Sequence, residues 1–114
     1  MSRDPLLYLE DIVTACARVR DYLKDVPLEK FGEDSMRLDA TIRNLELIGE
    51  AAKRLLDAVR DAIEGVPWRE IVGMRNVLIH GYFGIDHRIV WSAATDKVPA
   101  LESAVRRYLA EHAD

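Results

Sequence analysis

The sequence predicts an all-α fold, an antiparallel bundle of four or five helices. Three observations predict it. Apolar residues recur by threes and fours through most of the 114 residues, the spacing of helices with one buried face. No stretch alternates apolar and polar residues as a half-buried strand would, and there is no internal repeat or low-complexity segment. Short connections separate the periodic stretches, which sets most neighbouring helices antiparallel.

Asp4-Pro5 opens the first helix, with the acidic residue as N-cap and Pro5 at the first helical position. Leu6, Leu9, Ile12, Val13, Cys16, Val19 and Leu23 form its apolar stripe, to about Lys24. Pro27 ends it, and Val26 to Gly32 is a short connection. Glu33-Asp34-Ser35 supplies acidic and capping residues to a second helix. Its stripe runs through Leu38, Ile42, Leu45, Ile48, Gly49, Ala52 and Leu56. Gly49, Ala51 and Ala52 are small enough to admit a second helix closely, within the chain or across a dimer. The crossing within the chain is the favoured reading.

Leu56 to Glu64 either continues this helix or forms a separate short one, and Gly65-Val66-Pro67 breaks it. Trp68 starts the next helix, with Pro67 near its first position. After Gly81 and Gly84, Asp86 can cap a helix beginning at His87. Val98-Pro99 interrupts or kinks that helix, because proline carries no N–H. Leu101, Ala104, Val105, Tyr108 and Leu109 form a last amphipathic segment.

At 114 residues the chain is expected to be one domain, residues 1–114. With 49% hydrophobic and 32% charged residues it is too apolar for disorder and too charged for a membrane protein. No apolar run approaches the ~20 residues of a transmembrane helix. The N-terminus lacks the apolar region of a signal peptide. A lone cysteine, Cys16, excludes an internal disulfide and fits a buried small hydrophobe. A cytoplasmic protein is expected. The net charge of −4 opposes nucleic-acid binding through the global field, so phosphate binding is expected either through basic residues gathered locally or as a weak, brief contact.

The chemistry concentrates between Trp68 and Asp86. Arg75, Asn76, His80 and Tyr82 fall within eight residues, separated by apolar residues and followed by glycines. Arginine offers a permanent cation with forked donors, and histidine titrates near neutral pH. On a helix, positions 75 and 80 lie about 140° apart around the axis. Gly81 and Gly84 favour a helix end, and unwinding near His80 would swing the imidazole back toward the guanidinium.

Arg75 through Tyr82 has the Arg-x4-His-x-Tyr pattern, and it resembles the HEPN superfamily. The longer run from Val66 to Asp86, and the upstream run from Arg43 to Lys53, resemble its HepT-type branch. The resemblance covers nearly the whole chain. It implies the ribonuclease toxin of a toxin–antitoxin pair. That enzyme cleaves RNA without metal or other cofactor, through attack of the RNA's own 2′-OH. The resemblance further implies a homodimer whose motif stretches face a shared groove. The implied antitoxin partner is a minimal nucleotidyltransferase of the MntA type, which attaches AMP to the tyrosine at position 82.

In this frame Arg75 holds the scissile phosphate and stabilises the transition state, and His80 is the general acid–base. Asn76, Glu50 and Arg43 are supporting residues. Tyr82 is the modification site. The structural alternative for Arg75 is an ion pair with Glu46, Glu50 or Asp86. His80, Asp86 and His87 are too sparse for zinc, and Asp86 is better explained as a cap, so no metal is expected. The competing functional reading is a non-catalytic helical module that docks a nucleotidyltransferase, with Arg75 as phosphate anchor. A plain helical dimerisation domain is the third.

Overall fold

A computed structural model describes residues 4–80 and 86–112. The side chains of Val77, Ile79 and His80 are not among the described ones. The described residues form α1 (Pro5–Leu23), α2 (Leu28–Glu33), α3 (Ser35–Arg54), α4 (Asp57–Ala62), α5 (Trp68–His80), α6 (His87–Ser92) and α7 (Val98–Glu111). A π-helical turn, Ala93–Lys97, joins α6 to α7. The fold is all-α, as the apolar spacing predicts. α3 packs on α1, α2, α5 and α6, and α1 packs on α7.

Three helix starts follow from local chemistry. The side chains of Asp4, Asp34 and Asp86 each accept a hydrogen bond from a backbone N–H in the first turn that follows, those of Leu6, Arg37 and Arg88. Each satisfies a donor that the helix itself leaves unpaired. Asp86 also pairs with the Arg88 guanidinium at 2.7 Å. Together, the Arg88 side chain and backbone N–H hold its carboxyl down to about 2. Since the folded pKa lies below the unfolded 3.8, the folded state binds fewer protons between about pH 4 and pH 2. The stability from this group is therefore present above about pH 4 and lost as pH falls through about 2. Asp86→Asn is expected to flatten the acid limb of the stability–pH curve in that window, as measured by denaturant titration.

The core is aliphatic and continuous. Leu9, Ile12, Cys16, Val19, Leu45, Ile48, Val90, Leu101 and Val105 are all essentially inaccessible. Cys16 lies inside it, and burial, with Glu102 nearby, pushes its thiol up to about 12. The thiolate is the reactive form. Alkylation at pH 8 is therefore expected only as fast as the protein unfolds, and rapid labelling of the native protein would contradict this packing. The buried carboxylate of Glu102 is matched by two half-exposed guanidiniums, Arg20 from α1 at 2.8 Å and Arg106 at 2.9 Å.

Two expectations require correction. Val26 to Gly32 is not a plain connection, because Leu28–Glu33 is the short helix α2. Phe31 anchors it, fully buried with its ring centroid 5.5 Å from that of Trp91. Leu56 does not continue the stripe of α3. That helix ends at Arg54, Leu55 is buried in its place, and Leu56 is 63% exposed. Leu56 to Glu64 contributes the separate helix α4. Val98-Pro99 does interrupt the helix, as expected, and the interruption is a π-turn, Ala93–Lys97. Proline removes the N–H that would pair with the carbonyl of residue 95, and the chain takes a π-turn just before it. Thr95 and Ser92 brace that turn by donating to Trp91 O and Asp96 Oδ2.

Candidate active site

Gly49 sets the site. A Cβ built there would lie 2.7 Å from Cβ of Arg75 and 3.3 Å from the carbonyl oxygen of Ile71. Only glycine lets α3 and α5 approach this closely. The small-residue cluster of the sequence is therefore an intramolecular crossing, and it brings the next residue of α3, Glu50, against Arg75. Arg75 Nε lies 2.8 Å from Glu50 Oε2, with about a third of each side chain exposed. The other carboxylate oxygen, Oε1, accepts from Arg54 Nε at 3.0 Å. One carboxylate thus sits between two guanidiniums. The closest contact of Arg75 falls on its Nε, and a guanidinium carries further donors on its two terminal nitrogens.

The other expected residues divide. Asn76 is exposed, one residue beyond Arg75. Arg43 lies two turns before Glu50 on the same side of α3, is mostly exposed, and has Glu46 Oε2 at 3.9 Å. α5 keeps helical backbone through His80, and Gly81 and Gly84, on which the expected unwinding rests, lie outside the described residues. The His80 side chain lies outside the described residues, as does Tyr82. The ion-pair alternative for Arg75 is realised with Glu50. Asp86 is occupied by Arg88 and by its capping role. Among the described residues no three His, Cys, Asp or Glu side chains cluster at metal-binding distance. No described helix is long and apolar enough to cross a membrane.

Two residues of α3 escaped the sequence reading. Arg54 shares Glu50 with Arg75; its spacing of four from Glu50 is a signal visible in the sequence. Asn44 is buried in α3, with Nδ2 donating to Ala40 O and Oδ1 without a partner among the described residues.

Relatives of similar length span almost this whole sequence. A candidate RNase of Caldanaerobacter subterraneus subsp. tengcongensis is 40% identical over 107 residues, 94% of this chain and 96% of the relative. A candidate RNase of Methanocaldococcus jannaschii is 39% identical over 90% of this chain and 94% of its own. The probable ribonuclease HepT of Thermococcus cleftensis is 37% identical over 90% of this chain and 93% of its own. No solved structure matches significantly. The family model described as ribonuclease HepT-like matches residues 12–108, which include Glu50, Arg54, Arg75 and His80. The chain belongs to the HepT-like ribonuclease family, within the HEPN superfamily.

Proposed function

We propose that this ribonuclease is a metal-independent endonuclease acting as the toxin of a toxin–antitoxin pair. The carrying observation is the Arg75 guanidinium, fixed by Glu50 at a glycine-enabled crossing and still partly open to solvent. Arg75 holds the scissile phosphate and stabilises charge on the pentacoordinate transition state. The 2′-oxygen bonds to phosphorus while its proton passes to a base, and the P–O5′ bond breaks as the 5′-oxygen takes a proton. His80 performs these proton transfers. The products are a 2′,3′-cyclic phosphate and a 5′-hydroxyl. Asn76 and Arg43 assist phosphate binding from either side, and Glu50 orients Arg75.

Two protomers pair so that their motif helices share a groove in the cytoplasm. A minimal nucleotidyltransferase antitoxin silences the enzyme by attaching AMP to Tyr82, two residues from His80. That adduct adds bulk and negative charge where RNA phosphate must enter. Purified protein incubated with total RNA in excess chelator tests the reading. Cleavage is expected without added metal. Intact RNA under these conditions, with the protein folded, contradicts it. Co-expression with the antitoxin is expected to add one AMP unit to the mass of the chain and to none of a Tyr82→Phe variant.

A further inference from the structure

Beside the Arg75–Glu50 pair, α1 and α3 enclose a groove of about 370 Å³ that the sequence did not announce. Arg18, Asp11 and Tyr8 line it from α1, and Glu50 and Arg54 from α3. Glu50 belongs to both places, facing the groove and touching Arg75. The groove therefore adjoins the Arg75–Glu50 pair of the proposed cleavage site. We propose that it is the subsite for the single-stranded RNA flanking the scissile bond. This rests on the ribonuclease reading and extends it to residues outside the motif.

The electrostatics favour this assignment. Two guanidiniums of the lining, Arg18 and Arg54, meet two carboxylates, Asp11 and Glu50, so the lining itself is balanced, and Arg75, in contact with Glu50, adds a third guanidinium beside it. The chain as a whole carries −4. Glu50 is already engaged by two guanidiniums, which lessens its repulsion of a phosphate. Arg54 and Arg18 are exposed, and Arg18 makes no ion pair among the described residues. Half-buried Tyr8 lines the groove wall. Arginines that track a backbone beside an aromatic that stacks a base are the general means of binding single strands without strict sequence choice. In the larger cleft between α5 and α6, by contrast, every cation of the described lining is already paired. Its Lys97 and Arg88 are each paired at 2.7 Å, with Glu70 and Asp86.

The test is binding, separated from cleavage. The probe is a fluorescein-labelled 2′-O-methyl oligoribonucleotide of about ten residues, within the site sizes of single-strand binders. It has no 2′-hydroxyl to attack, so it reports affinity alone. The Arg18→Ala/Arg54→Ala double variant is expected to weaken binding about tenfold or more at low salt and to lower the salt slope of log Kd by about 1.4. Tyr8→Leu is expected to weaken binding about fivefold or more, and Tyr8→Phe is expected to bind as the wild type does. Arg18→Gln alone, an exposed single change, covers the case in which the double variant misfolds; it is expected to lower the salt slope by about 0.7. Unchanged affinity and slope in folded variants, or no binding by the wild type, overturns the groove. Cleavage of unmodified RNA is followed in parallel. Cleavage with unaffected groove variants sinks the subsite and leaves the ribonuclease reading standing. Groove-dependent binding without cleavage supports the subsite and sinks the proposed cleavage mechanism.

Discussion

Arg75→Ala is expected to lower the rate of RNA cleavage by about a hundred- to a thousandfold, the usual loss when one preorganised transition-state donor is removed. His80→Ala is expected to lose about 10²- to 10⁴-fold, the range of general acid–base catalysis. Neither change should unfold the protein. Removing Arg75 leaves Glu50 still paired with Arg54 at 3.0 Å, so no carboxylate is stranded. Arg75→Lys is expected not to restore activity, because an ammonium cannot reproduce the fork that holds both Glu50 and a phosphate. Far-UV circular dichroism fixes the fold, and a labelled RNA substrate fixes the rate. Full activity in either folded alanine variant contradicts the roles assigned here.

Gly49→Val is the second large effect. Its Cβ alone would sit 2.7 Å from Cβ of Arg75, and the neighbouring atoms at 2.7 and 3.3 Å are a side-chain root and backbone, which cannot swing away. The two helices must separate. Overpacking of this kind costs about 1–3 kcal/mol, against about 1 kcal/mol or less regained from replacing a helical glycine. The upper end is expected here, because a branched side chain adds two methyl groups to the clash. Thermal denaturation should show a Tm lower by several degrees. The surviving folded fraction should cleave RNA more slowly, since the same crossing positions Arg75 against Glu50. A Gly49→Val protein as stable and active as the wild type would remove the crossing from the account.

Much of this architecture was legible because it is local. Asp4, Asp34 and Asp86 each cap the helix that follows, and each cap depends only on residues two or three positions away. The close approach at Gly49 was legible in part: the small residues announced a crossing, and only the fold names Ile71 and Arg75 as what crosses there. The features that escaped are tertiary. α2 has one buried residue, Phe31, and hence no periodicity; its seat against Trp91 and the His87 ring beside Gly32 come from 50 or more positions away. Leu55 and Leu56 are adjacent leucines. Which one is buried depended on where α3 stops. In the site, residue types identified Arg75 and Glu50 as candidates, and Glu50 was among three possible partners for Arg75. The fold chose Glu50 and added Arg54.

The most direct measurement of the central claim is the chemistry of the RNA ends. A short oligoribonucleotide is cut by the purified protein in chelator, and the products are weighed by mass spectrometry. Fragments ending in a 2′,3′-cyclic phosphate and beginning with a 5′-hydroxyl are predicted, and a single 2′-deoxy substitution at the cut site is predicted to block cleavage. Fragments with a 3′-hydroxyl and a 5′-phosphate, or unimpeded cutting at the 2′-deoxy position, would contradict it.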